Sequence, residues 1–181
     1  MNAPTAPGPT APATLKDVVD RVIADPDISE TRRRDLRSAV SIYAKLKGEP
    51  LSAIPLDLAA IRRTLDGIVP AQAKVSRKRL ANLRSDLAAA LDASGLQPML
   101  KTSNVELDPN WDALLRATQD KTVTNGLSRL VRWATARQIG PTAVDDAILE
   151  QFFAELEATS LVRNLRAQRR KILEQACDFG R

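Results

Sequence analysis

Arginine and lysine are the residues of this sequence whose types and spacing could do chemistry. Arg33, Arg34, Arg37 and Lys45 fall, at about 100° per residue, on the side of a helical stretch opposite Leu36, Ala39 and Tyr43. In "KVSRKRLANLR", Lys74, Arg77, Lys78, Arg79 and Arg84 crowd the start of another stretch. There the backbone dipole disfavours cations and free N–H groups welcome an anion, a conflict that a phosphate would resolve. In the closing stretch Arg163, Arg166 and Arg170 are expected on one face, with Leu161, Leu165, Ile172 and Ala176 on another. The chemistry such groups offer is the holding of phosphate oxygens, and an array of them along helices suits the regular charge ladder of duplex DNA. An Arg-rich face is also an ordinary solvated surface, and Asp35, Asp86 and Glu174 stand where they could pair with it.

The rest of the composition narrows the classes. The 181 residues contain no histidine, so the commonest general base and metal ligand is missing. The single cysteine, Cys177, excludes an internal disulfide and is expected to be a small buried or half-buried residue. Asp145, Asp146 and Glu150 suit a helix N-terminus better than a metal site, so no metal or cofactor is expected. Trp111, Trp133, Phe152 and Phe153 lie in apolar stripes and read as core. With aromatic residues at 3%, a single-strand binder built on base stacking is disfavoured. The one tyrosine, Tyr43, sits on an inward stripe, which makes it core and not a nucleophile. No stretch approaches a membrane span and no secretory signal opens the chain, so a cytoplasmic protein with no membrane partner and no small-molecule ligand is expected. The net charge of +5 is too small to prove a polyanion partner by itself, so the distribution of charge must decide.

The elements that position these side chains are helices. Apolar content of 44%, mostly aliphatic, predicts an all-α protein. Residues 1–13 are rich in Pro, Ala and Thr and are expected to be a disordered tail. A first helix starts at Thr14, carries Leu15, Val18, Val19 and Val22, and breaks at Asp25 and Pro26. A second is capped by Ser29, carries Leu36, Ala39, Val40, Tyr43 and Leu46, and stops at Gly48 and Pro50. A third has Asp57 as its cap and Leu58, Ile61 and Leu65 inward; a fourth carries Leu80, Leu83, Leu87 and Leu91 and ends at Gly95. Residues 97–107 read as a linker between a first domain, 14–96, and a second, 108–181. The second set contains a short helix with Trp111, Leu114 and Leu115, and a longer one running from Lys121 to Gly140. A third is capped by Asp145 or Asp146, and a fourth closes the chain. A shift of 91 positions lays Leu36 on Leu127, Val40 on Val131, Leu58 on Leu149, Ile61 on Phe152 and Leu65 on Leu156, and a shift of 85 pairs Leu87 with Ile172 and Gly95 with Gly180. The expected architecture is therefore two small four-helix bundles in tandem.

The stretch from Thr31 to Leu96 resembles the core-binding (SAM-like) domain of tyrosine recombinases, the phage-integrase family. The residues that carry the resemblance are "RRRDLRSAVSIYAKLKG", "PLSAIPLDLAAIRRTLDGI" and "SRKRLANLRSDLAAALDASGL". Residues 121–181, with "GLSRLVRWATARQIGPTAVDDAILEQFFAEL", resemble a second, more divergent copy. The resemblance implies a helical bundle that covers one side of duplex DNA with its second and fourth helices. It points to Arg33, Arg34, Arg37, Arg77, Lys78, Arg79 and Arg84 in the first copy, and to Arg129, Arg132, Arg163, Arg166 and Arg170 in the second. It also implies that the recombinase chemistry, a tyrosine attacking a phosphodiester with Arg and His support, belongs to a separate domain expected after Arg181, so that this chain would be a fragment or truncated product that binds without cutting.

The expected function is thus a non-catalytic duplex-DNA-binding module of DNA integration and recombination. Its expected partners are double-stranded DNA and other recombinase protomers, with limited base readout from Ser76, Asn82 or Asn125. A helical protein-interaction adaptor is the alternative. A helix-turn-helix regulator, suggested by "KTVTNGLSRLVRWA", lacks the tight second-helix spacing.

Overall fold

A computed structural model describes residues 13–97, 99–100, 105–118 and 120–179, the last four of these, 176–179, by their backbone alone. Every regular element among them is helical: α1 (Leu15–Ala24), α2 (Glu30–Lys47), α3 (Leu58–Gly67), α4 (Arg77–Ala93), α5 (Pro109–Thr118), α6 (Lys121–Thr135), α7 (Asp146–Thr159) and α8 (Leu165–Phe179). Short 3₁₀ turns lie between α2 and α3 (Leu51–Ala53) and between α6 and α7 (Pro141–Ala143). The chain divides into two compact units between Met99 and Leu100, and each repeats the order helix, helix, 3₁₀ turn, helix, helix.

In the first unit the caps fall where the sequence signals lie. Thr14 and Asp17 form a reciprocal capping box at the start of α1, and an isolated bridge between Thr14 and Pro55 ties this entry to the 3₁₀ turn. The Ser29 and Ser76 hydroxyls accept the amides of Arg32 and Arg79, and an Asp57 oxygen accepts that of Ala60 at 3.0 Å. Gly48, at φ 77°, closes α2 in the left-handed region that disfavours a side chain. The core is Leu15, Val18 and Val22 from α1, Leu36, Val40 and Tyr43 from α2, Ile61 and Leu65 from α3, and Leu87 and Leu91 from α4, each at most 2% exposed. The long helices α2 and α4 pack along each other, and Arg32 of α2 reaches Asp86 of α4 at 2.9 Å.

The second unit buries Trp111, Leu127, Leu130, Val131, Trp133, Phe152, Leu156 and Ile172 in one cluster. Trp111, Trp133, Phe152 and Phe153 are core, as their spacing predicts: Trp133 meets Phe152 edge-on at 5.3 Å, and the Trp111 indole N–H donates to the Ile139 carbonyl at 2.8 Å. Leu100 and Leu107 already pack against this cluster, and the Leu100 amide donates to the Thr159 carbonyl. The second unit therefore begins earlier than the linker boundary expected from composition. The Asp145 carboxylate, not Asp146, caps α7 by accepting the Ile148 amide.

Two helix ends differ from the sequence-based expectation. α6 stops at Thr135 and not at Gly140, because Gln138 takes a left-handed turn (φ 58°) that lets the Ile139 amide return to the Ala134 carbonyl and drops Ile139 against the core. α8 starts only at Leu165, since Asn164 is left-handed (φ 50°) and its side-chain oxygen accepts the Ala167 amide. Leu161 and Arg163 consequently precede α8 instead of lying on its faces. The expectations for residues 1–12, for the Cys177 and Ala176 side chains and for Gly180 lie outside the described residues. No described helix is long and apolar enough to cross a membrane.

Candidate functional site

The sequence-predicted cations separate into three kinds of environment. The first is structural. The Arg33 guanidinium donates to the carbonyls of Asp25 and Ile28 at 2.8 and 2.9 Å and pairs with Glu30 at 2.7 Å, so it closes the α1–α2 turn. Arg84, with its side chain 13% exposed, reaches across to Asp66 of α3 at 2.8 Å. Both were expected in an outward array; instead loop carbonyls and a carboxylate draw them in, because a half-buried guanidinium needs acceptors close by. Arg170 lies 3.6 Å from Glu174 in an exposed i,i+4 pair.

The second kind is outward-facing. Arg34, Arg37 and Lys45 follow one stripe of α2 away from the core, all exposed, and none of their side chains bonds to another described residue. Lys74, Arg77, Lys78 and Arg79 are exposed at the start of α4. Consecutive helical residues fan out by about 100°, so these do not share one face. Lys78 points away from the core, whereas Arg79 turns into a groove of about 210 Å³ between α2 and α4, beside Asn82, Asp35, Ser38 and Asp86. The two carboxylates make this groove unsuited to phosphate, and Asn82 there is set among acids instead of reaching outward. Ser76, the other first-unit candidate for base contact, is occupied as the α4 cap. In the second unit Arg163 and Arg166 are exposed, on the turn before α8 and on its first turn.

The third environment is a built one. Arg129 and Arg132 of α6 lie three residues apart on the side turned towards α8, together with Asn125 and Ser128. From α8, Gln168 and Lys171 face them across a polar depression of about 420 Å³, whose wall also includes Gly126. Arg129 is half-buried, and desolvation holds its pKa below the ordinary arginine value, with no carboxylate offsetting the loss of water. It stays cationic, since the guanidinium starts from so high a value. Arg166 and Arg170 turn to another side of α8 and do not join this group.

The depth of α8 against α6 is fixed beneath the depression. Gln175, 8% exposed and four residues beyond Lys171, donates from its amide nitrogen to the Thr122 carbonyl at 3.2 Å. Gly126 makes the approach possible: a Cβ there would lie 1.9 Å from the Gln175 side-chain oxygen. Sequence reasoning missed Lys171 and Gln175. The available signal was their i,i+4 spacing on the flank of α8 beside Ile172, which requires knowing which helix α8 packs against.

Tyr43 is 1% exposed, and burial raises its pKa above the usual tyrosine value. A phenol so placed is a packing element. Among the described residues no group of His, Cys, Asp and Glu could hold a metal ion. Compared with protein-family models, with curated proteins and with solved structures, the chain finds no match in any of the three.

Proposed function

We propose that this chain is a non-catalytic module that binds double-stranded DNA through its phosphate backbone, of the integrase-like kind used in DNA integration and recombination. The observation that carries the proposal is the stripe of Arg34, Arg37 and Lys45 on α2, exposed and unspent on any described acid, with Lys78 exposed at the start of α4. Cations held on a rigid helix with no internal partner gain most from a ladder of fixed phosphates, because each contact releases condensed counterions. Arg163 and Arg166 and the α6–α8 group offer the same chemistry in the second unit. The tandem helical order and the quoted likeness to core-binding domains support the recombinase context. A binding role without cleavage is favoured by the lack of histidine in the sequence and by the burial of Tyr43.

The adaptor alternative, which would dock partners through exposed apolar or charged faces, draws no support from an apolar face. The exposed large hydrophobics of the described residues are Ile23 and Val69, single side chains on separate segments and not an apolar docking face. The test is fluorescence anisotropy of a labelled duplex titrated with the protein. Saturable binding with a Kd on the order of micromolar at low salt is expected. Absence of binding at low salt, or equal binding by an Arg34→Gln/Arg37→Gln variant, would refute the proposal.

A further inference from the structure

We propose that the depression between α6 and α8 is a phosphate-binding site in which Arg129, Arg132 and Lys171 converge on one phosphate-class anion and the Asn125 and Gln168 amides complete its coordination. Three cations and two amide side chains line a space of about 420 Å³ with no carboxylate among the lining residues. That composition sets it apart from the α2–α4 groove, where Asp35 and Asp86 stand beside the single Arg79. It also differs from a solvated Arg-rich face, since Arg129 is half-buried and has given up water without gaining a described acid in exchange. An anion seated there would restore what desolvation has removed. Arg129 can present its guanidinium fork to adjacent oxygens, Arg132 adds positive charge from the same helix, and Lys171 supplies a point charge from the facing helix.

The site is held in shape from below. Gln175 anchors α8 to the Thr122 carbonyl, and its packing against Gly126 sets how closely the Lys171 turn approaches Arg129. The Gln175 side-chain oxygen is buried without a partner, a cost that the fold carries at this one contact between the two helices. A cationic charge total larger than one matches two neighbouring phosphodiesters or a free polyphosphate better than a lone diester. Both sources present the same oxygens. The site does not depend on the duplex proposal: α6 and α8 form it within the second unit.

The test is titration of the full chain with inorganic pyrophosphate, followed through the side-chain Nε–Hε signals of arginine in ¹H–¹⁵N spectra. Saturable movement of the Arg129 and Arg132 signals is expected, with affinity lowered about tenfold or more by Arg129→Gln and by Lys171→Gln. Lys16→Gln, in the first unit where Lys16 pairs with Asp20, is expected to leave pyrophosphate affinity within about twofold. Lys171 is exposed, so its variant carries the test should Arg129→Gln unfold. Arg129→Lys, which keeps the charge and loses the fork, should fall between wild type and Arg129→Gln. Displacement of pyrophosphate by an unlabelled duplex assigns the anion to the nucleic-acid backbone; saturable binding without displacement assigns it to a free polyphosphate. No saturable binding, or equal losses in Lys16→Gln and Lys171→Gln, overturns the site. Duplex binding that persists beside such a failure leaves the proposed function standing, and pyrophosphate binding without duplex binding does the reverse.

Discussion

Gly126→Ala is the most informative single methyl that can be added to this protein. In the interior of an isolated helix the change would stabilise by about 0.8–1 kcal/mol, because alanine loses less backbone entropy than glycine. Here the new Cβ would lie 1.9 Å from the Gln175 side-chain oxygen and 2.6 Å from its carboxamide carbon, distances no packed structure tolerates. The far end of a glutamine can move, but this one is 8% exposed and donates to Thr122 at 3.2 Å. Moving it forfeits a hydrogen bond worth about 1 kcal/mol and adds overpacking of about 1–3 kcal/mol. The net expectation is a loss of about 1–3 kcal/mol. Urea denaturation followed by the fluorescence of Trp111 and Trp133 in the same unit reads this directly. Gln175→Ala removes the obstacle and an unpartnered buried oxygen with it, so the double variant is expected to recover at least about 1 kcal/mol relative to the sum of the singles. A Gly126→Ala protein more stable than wild type, or strictly additive variants, would refute the packing argument.

Other outcomes follow from the same contacts. Arg33→Gln should lower first-unit stability by about 1–2 kcal/mol in thermal unfolding, because it strips the Asp25 and Ile28 carbonyls of their donor, while Arg34→Gln should change stability by under about 0.5 kcal/mol. Arg137 stacks 4.5 Å over Trp133 and pairs with Glu155, itself the acceptor of the Trp133 indole N–H, so Arg137→Ala should cost about 1 kcal/mol in urea titration and shift Trp133 emission. Tyr43 is held neutral by burial, so above the ordinary tyrosine value of 10.0 the unfolded chain releases its phenolic proton while the folded chain keeps it. Stability should therefore fall as pH rises past that value; the fall should be shallower in Tyr43→Phe, and equal slopes in the two proteins would refute the assignment.

Much of the fold was legible because caps and stripes are local. Ser29, Asp57 and Gly48 mark helix ends through interactions with their own neighbours, and the aliphatic stripes of α2, α3 and α4 became the core through simple helical periodicity. The end of α6 was hidden because it rests on left-handed Gln138, which leaves no compositional mark. The start of α8, by contrast, was signalled by Asn164, a residue suited to both the left-handed region and the N-cap, and was overlooked because the apolar pattern runs on before it. The cations were harder to place. Wheel position separated Arg34 and Arg37 from the core, yet it could not show that Arg33 would bend back to loop carbonyls or that Arg84 would meet Asp66, since those partners come from other segments. Likewise Lys171 joins Arg129 and Arg132 only through the pairing of α6 with α8, a tertiary fact that α8 alone does not carry.

The dependence of duplex affinity on salt tests the central claim most directly. For backbone contacts, log K falls linearly with log salt at about 0.9 per phosphate neutralised. Wild-type protein is expected to show such a slope, and Arg34→Gln/Arg37→Gln to reduce it by about 2 while Arg33→Gln leaves it unchanged. A slope near zero, or one that drops for Arg33→Gln and not for the exposed pair, would contradict the account.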